Sequence, residues 1–596
     1  MNALDPFIFQ WHTPYWHSLG VALLLLSAFF GCGKVVLRAF PKEHLTAFGC
    51  GTALFMTLFS LSAADRNLLW GITLPFSLWG LWKLYSAVKE NPYQALFTAV
   101  FFLLTLGSAL IVPYAWDEQT YQLALPLRYL QNSSFAPCPD NPYSFYPALT
   151  SWFFANAIKQ GGLAVPRIIV SFLTPVLLLG VWRLSRPLGK AAAATAVAAL
   201  LVSPLLLAAN RGVYVENFIA LFTLSGFFAA WKMRKKSFYA PLFCGVLAGA
   251  AFAVKPTGAL GSLFLFILCF LSLKNYKKAL LFCGAAFLFS FFWYLRTFLY
   301  TGNFFYPYSF FPAPGSVEEF HRLSGSARYG LDGTMGLLLN WLFAGFDRKI
   351  FDGIVTGMQI PFLGLCALAG LYGAVKAHPR WKMFFFRAIL ALLLPLLLWS
   401  VFFPQSRFLL FLLPFAVAGG VWAISRTAWK KYLLILPAVI LLGVIFFQSR
   451  PFMYHYFVSW KILNPVQHSP GRALAFLSKD PGLFQSFSYL NSNTPPDSRC
   501  LLLMERRGLY CPRKYALAIP GFEPTLTPVP ETSEKLLEKL RQFDYIIVGE
   551  TTQNVDLQSA NTEACKQVFL HLETLIQEGK LQKLSSPGYS VLQVIK

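Results

Sequence analysis

The chain has 596 residues, of which 56% are hydrophobic, 17% aromatic and only 13% charged, with a mean hydropathy of +0.53. A soluble core has no use for that much apolar surface, so the composition excludes an ordinary globular enzyme and points to a chain that faces lipid along most of its length. The formal net charge of +24 would suit a nucleic-acid binder, but the basic residues gather in alternate loops, which assigns them to membrane topology and anionic lipid headgroups, with no nucleic acid implied.

A helix needs about 20 apolar residues to cross the hydrocarbon layer, and about fourteen segments qualify. They are 18–40, 45–64, 67–88, 94–114, 164–184, 190–209, 213–232, 239–256, 257–273, 279–300, 358–377, 383–403, 407–425 and 430–448. Pro256 and Gly258 allow 239–273 to be read equally as one broken helix. One set of loops collects Lys34, Arg38 and Lys42, then Lys83 and Lys89, Arg183 to Lys190, Lys232 to Lys236, Lys274 to Lys278, Lys376 to Lys382 and Arg426 to Lys431. That is the positive-inside pattern, so these loops are expected in the cytoplasm and their opposites outside. The start of the chain lacks the basic stretch of a cleavable signal peptide, and Trp11, Tyr15 and Trp16 read as interfacial anchors.

The first three spans, residues 1–93, carry no convergent polar groups and are read as a transmembrane scaffold. The fourth span, free of charge from Ala95 to Val112, delivers Trp116, Asp117 and Glu118 at the expected outer face. Residues 118–131 place Leu123, Leu127 and Leu130 at helical spacing, which predicts an amphipathic helix on the membrane surface with Asp117 as a candidate cap. A proline-stiffened loop follows, with Tyr143 and Tyr146 able to stack on a sugar ring or to sit in the interface, and then a helix over 147–160.

Further outward-facing polar groups come at Arg211 and Glu216, at Lys255 beside Pro256, at Arg296, at Tyr306 and Tyr308, and at Arg407. Charges near a membrane face need partners or water, so their arrival on one side hints at function; an Arg211–Glu216 ion pair and a snorkelling Lys255 are the structural alternatives. An ammonium beside an interrupted helix suits a phosphate. The outer loop 301–357 is long enough to carry function or act as a lid. After residue 450 the hydrophobicity falls, and helices over 472–490 and 533–543 with strands over 500–504, 545–548 and 589–595 predict a small α/β domain outside the membrane. Cys500 and Cys511 in it are able to pair, and no cysteine or histidine spacing suggests a metal site. The division expected is therefore scaffold 1–93, transmembrane catalytic module 94–449 with outer loops 115–163 and 301–357, and soluble domain 450–596.

The stretches Trp116-Asp117-Glu118-Gln119-Thr120-Tyr121, Val215-Glu216-Asn217, Val254-Lys255-Pro256-Thr257-Gly258, Tyr300 to Pro307 and Ser406-Arg407-Phe408 resemble, in that order, the signatures of GT-C integral membrane glycosyltransferases that use polyprenyl-phosphate sugars, the group of protein O-mannosyltransferases and aminoarabinose transferases. The resemblance runs over about residues 94–515 and implies a polytopic α-helical fold with catalysis at the outer face of a bacterial cytoplasmic membrane. By that resemblance Asp117 matches the acidic base, and Lys255 and Arg407 match basic positions near the donor phosphate. Two departures are Glu216, where Asp is usual, and the three spans preceding the catalytic loop. The residue types suit the chemistry independently: Lys255, Arg407 and also Arg211 or Arg296 to stabilise a phosphate leaving group, and a carboxylate among Asp117, Glu118 and Glu216 to take a hydroxyl proton, with inversion at the sugar carbon. Such a donor is already activated, so no nucleotide cofactor is required; a divalent metal held by the three carboxylates stays open. The acceptor would be a lipid, glycan or protein. A flippase of lipid-linked sugars, which would show internal repeats and midplane charges, and a polysaccharide polymerase or ligase are the competing readings.

Overall fold

The computed structural model describes the chain from residue 15 onward except for 308–378, 426–480, 550–561 and short pieces at 39–42, 63–64, 111–112, 114, 211, 234–237, 274, 403–405, 521–522 and 585–588. The predicted spans 358–377 and 430–448, Tyr308, Arg211 and nearly all of the 301–357 loop lie outside the described residues.

Helices occupy the other twelve predicted spans. They are α1 (Tyr15–Val36), α2 (His44–Leu61), α3 (Arg66–Glu90), α4 (Pro92–Leu110), the short α5 (Ala124–Gln131) and α6 (Leu149–Gly161) between spans, then α7 (Ala164–Ser185), α8 (Lys190–Leu201), α9 (Pro204–Ala209), α10 (Glu216–Lys232), α11 (Tyr239–Val254), α12 (Ala259–Leu273), α13 (Tyr276–Thr301), α14 (Pro379–Phe402) and α15 (Leu413–Ile424). Among the described residues five helices are long and apolar enough to cross a membrane unaided, and the shorter apolar helices include α8, α11 and α15, so the chain is a multi-pass membrane protein. The predicted span 190–209 divides at Ser203, because Pro204 cannot donate to the preceding turn. The 239–273 segment divides likewise, α11 stopping at Val254 and α12 starting at Ala259.

Between lipid-facing helices burial adds little, so close packing decides the geometry. The first three helices meet through small residues: a Cβ on Gly33 or Gly51 would overlap the facing backbone of α2 or α1, and one on Gly31 or Gly80 would overlap α3 or α1. α1 then packs on α7, α2 on α6 and α10, α4 on α7, and α10 on α11 and α12.

Residues 118–131 do not form an exposed surface helix. Glu118–Gln122 is a π-helical turn, closed by the Leu123 amide on the Glu118 carbonyl, and α5 follows it. The Leu123 and Leu127 stripe is real, but the opposite face is buried too, with Leu125 and Tyr129 each 1% exposed. The partners on that face, Cys138, Phe135 and Trp152, come from the loop and helix that follow, and Arg128 beside them reaches Tyr515 of the C-terminal part; helical periodicity cannot announce either.

That part holds α16 (Pro481–Asn493), β1 (Arg499–Leu503), β2 (Lys514–Ala518), α17 (Ser533–Leu540), β3 (Tyr545–Val548), α18 (Thr562–Gln577), β4 (Leu581–Leu584) and β5 (Ser590–Val594). The five strands make one sheet in the order β2-β1-β3-β5-β4, with β2, β1 and β3 parallel and β5 antiparallel to its neighbours. Three predicted strands are present; β2, β4 and α18 were not anticipated, and β4, with two exposed residues at its centre, alternates weakly. Cys500 and Cys511 are buried free thiols.

Candidate active site

α4 ends at Leu110, and Asp117 stands immediately before the π-helical turn with its side chain 8% exposed. A π turn carries one extra residue and poorer hydrogen bonds than an α turn, and it is a frequent device for aiming a side chain at a functional site. Asp117 does not cap it, as its carboxylate makes no bond to the following amides. Its Oδ2 instead accepts from the Tyr121 hydroxyl at 2.8 Å and from Arg407 Nη1 at 2.7 Å. Both bonds fall on the same oxygen. Burial, reinforced by the adjacent Asp117 charge, pushes the Tyr121 phenol above its ordinary pKa, which fixes it as a donor.

Arg407 comes from a 3-10 turn, Ser406–Leu409, ahead of α15. Its side chain is 25% exposed, the most open of the charged groups in the cluster, and lies over the rings of Tyr214 and Phe408 at 5.7 and 5.4 Å.

Lys255 stands at the break between α11 and α12 with extended backbone, φ −165° and ψ 149°, because the residue before a proline is driven out of the helical region. Its Nζ donates to Glu216 Oε1 at 3.1 Å, with the two side chains 9% and 3% exposed. The same ammonium lies 4.7 Å from the Phe408 ring centre and 6.0 Å from that of Tyr121. Phe408 is therefore shared by Lys255 and Arg407, and Tyr121 joins Lys255 to Asp117. Two ion pairs, from loops separated by 290 residues at their extremes, share one aromatic floor. Among the described residues, Glu216 Oε2 of the second pair and Thr257 Oγ1, two residues from Lys255, are buried with no hydrogen-bond partner. Buried polar atoms left unsatisfied cost about 1–3 kcal/mol each, and a polar ligand at the Lys255–Glu216 pair would relieve that cost.

No family model matches the sequence, and no curated protein matches it. Among solved structures, ArnT from Cupriavidus metallidurans bound to undecaprenyl phosphate aligns at a TM-score of 0.52 with 14% identity, over 85% of this chain and 98% of that one. The apo form of the same protein aligns over the same shares with a TM-score of 0.41. The chain has the ArnT fold. This is the GT-C architecture that the ordered motifs resemble.

Within that ArnT-like fold the other candidate residues divide. Glu118 is fully buried: Oε1 accepts from Arg167 Nε at 3.1 Å and from the Val213 amide at 3.0 Å, and Oε2 from the Ala115 amide at 3.1 Å. It ties the Asp117 turn to α7 and to the loop before α10. Arg296 points into the proline-rich loop, where its guanidinium donates to the carbonyls of Ser144, Tyr146 and Phe135 at 3.2 to 3.4 Å. Tyr306 packs edge-on against Phe145 and Tyr146, and Tyr143 stacks on Tyr121 at 4.4 Å, so these aromatic rings first meet one another. Asp117, Glu118 and Glu216 each have a different cation, and among the described residues no three His, Cys, Asp or Glu side chains gather where they could hold a metal ion.

Arg167 was missed by the sequence reading, although a charge at the fourth residue of a predicted span is itself a signal that a buried acid lies opposite. Arg128 and Asp140 were also missed; they form a bidentate pair at 2.8 and 2.9 Å. Twelve residues apart across a loop, they offered no periodicity to find them by.

Proposed function

We propose that the chain is an inverting glycosyltransferase of the EC 2.4 class that moves a sugar from a polyprenyl-phosphate donor to a lipid, glycan or protein acceptor at the outer face of the cytoplasmic membrane. The observation that carries this reading is the meeting of the Asp117–Arg407 and Glu216–Lys255 pairs over Phe408 and Tyr121. Support comes from the ArnT fold and from the polyprenyl phosphate bound by that structural neighbour.

In this reading Asp117 is the base, Lys255 and Arg407 bind the donor phosphate, and Glu216 orients Lys255. Arg407 holds Asp117 while no phosphate is present. A donor phosphate between Arg407 and Lys255 competes for both cations, so donor binding loosens the Arg407 bond and frees the Asp117 carboxylate for the acceptor hydroxyl. The acceptor oxygen then attacks the anomeric carbon as Asp117 takes its proton. The bond from that carbon to the phosphate oxygen breaks on the far face, and polyprenyl phosphate leaves with its new charge held by the two cations. One displacement inverts the anomeric centre. Glu118, bound on both oxygens, is a strut in this scheme, and Arg296 and Tyr306 build the loop that backs Tyr121. Arg211 and Tyr308 are further candidates for the donor phosphate and sugar. The C-terminal sheet lies on the extracytoplasmic side.

The test is transfer by purified protein in nanodiscs, offered a panel of polyprenyl-phosphate sugars with a membrane-lipid extract as acceptor. Appearance of glycosylated product with inverted configuration supports the proposal. Movement of a lipid-linked sugar across the bilayer with no product from any donor would replace it with the flippase reading.

A further inference from the structure

We infer that the loop after β1 is a positioning clamp on the turn that carries Asp117, with Tyr510 and Leu509 as its two jaws; this rests on the transferase reading above. The Tyr510 hydroxyl donates to the Pro113 carbonyl at 2.7 Å, and the Leu509 amide donates to the Gln119 carbonyl at 3.1 Å. These two bonds grip the backbone four residues before Asp117 and two residues after it. The Gln119 side chain closes the ring, its Nε2 donating to the same Pro113 carbonyl at 3.3 Å.

The jaws are themselves held. Tyr510 is 6% exposed and packs edge-on against Phe484 of α16 at 5.7 Å. A Cβ on Gly508 would overlap the Tyr515 ring of β2, so the loop is pressed onto the sheet. Tyr515 in turn carries the Arg128 guanidinium 4.8 Å over its ring, and Asp140 accepts from both Arg128 and the Leu517 amide, the latter at 2.9 Å. β2 is an edge strand, and Asp140 takes an amide that would otherwise be open. The sheet therefore reaches the catalytic segment at two places, and a π turn, being the weaker helix, gains most from outside support.

A clamp of this kind sets where Asp117 stands without touching donor or acceptor, so its loss should lower turnover and leave donor binding alone. Misplacement of a catalytic group by about 1 Å can cost on the order of 100-fold in rate.

The experiment compares wild type, Tyr510→Phe and Tyr589→Phe in the full-length protein, by transfer kinetics and by hydrogen exchange of peptides spanning 113–122 and 506–511. Tyr510→Phe keeps the ring and removes only the bond to Pro113, whereas Tyr589→Phe removes a hydroxyl that Arg507 of the same loop bonds at 3.2 Å and leaves both jaws in place. The inference expects Tyr510→Phe to lower kcat about tenfold or more with donor KM within about twofold. It expects faster exchange in 113–122 alone, and wild-type behaviour from Tyr589→Phe. Wild-type kcat and exchange in Tyr510→Phe would overturn it, as would faster exchange spread over the whole chain. If wild type transfers no sugar, the transferase reading fails, while the exchange comparison still decides whether the clamp exists.

Discussion

Glu118 separates a strut from a catalyst, because its sequence position beside Asp117 suggests chemistry and its surroundings suggest support. Glu118→Gln is the sharpest perturbation. The carboxylate accepts three hydrogen bonds, from Arg167, Val213 and Ala115, and an amide has only one acceptor oxygen. Either orientation of the Gln side chain turns an NH2 group toward a donor and leaves the Arg167 charge, 2% exposed, without its counter-ion. Removing one partner of a buried pair costs about 3–5 kcal/mol. We predict that Glu118→Gln lowers thermal stability strongly, measured by fluorescence-monitored unfolding in detergent, and that transfer falls in step with the folded fraction. In Glu118→Gln combined with Arg167→Met the orphaned charge is gone, and a large part of the stability and activity should return. A Glu118→Gln protein as stable as wild type, with kcat reduced about 100-fold or more and no recovery in the double variant, would refute the strut assignment and restore Glu118 to the chemistry.

The same strut predicts a second effect: a Cβ on Gly212 would stand 2.7 Å from Glu118 Cδ and 3.0 Å from Ala115 Cβ, so Gly212→Ala should reproduce the stability loss of Glu118→Gln. Lys255→Ala should raise the donor KM about tenfold or more and also destabilise, since Glu216 is left charged in a buried site; adding Glu216→Gln should recover stability but not donor affinity. In the sheet domain, burial pushes the Glu523 carboxyl up to about 7 against the lowering effect of Arg506, to which it bonds at 2.9 Å. Because the folded pKa lies above the unfolded one, the folded form holds the extra proton between about pH 4.5 and 7, and stability falls as pH rises through that window. A protonated-carboxyl infrared band should therefore be present at pH 6, fade by pH 8 and be missing from Glu523→Gln.

Much of the membrane region could be read from the sequence because lipid imposes one rule, an unbroken apolar run, on every span. One interruption was legible too, at Pro256; the break at Pro204 was not read, although the same missing amide causes it. Asp117, Lys255 and Arg407 stood out because a charge beside an apolar run is costly. What the sequence could not supply was the pairing. Lys255 neutralises Glu216 and Arg407 neutralises Asp117, a pattern set by how helices far apart in the chain pack. Glu118 and Arg296 share the same outward position and residue types, yet they end on protein atoms. α5 shows the limit most clearly, for its Leu125 and Tyr129 pack with Cys138 and Phe135 while its Arg128 reaches Asp140 and the Tyr515 ring, from segments with no common period.

The most direct test of the account is single-turnover sugar transfer by wild type, Asp117→Asn and Asp117→Glu at saturating polyprenyl-phosphate donor, with donor binding measured alongside. Asp117 as base predicts that Asp117→Asn binds donor as well as wild type or better, since Arg407 is released, while the rate drops by about 100- to 10,000-fold. It also predicts that Asp117→Glu keeps part of the rate. Transfer by Asp117→Asn at close to the wild-type rate would contradict the account at its centre.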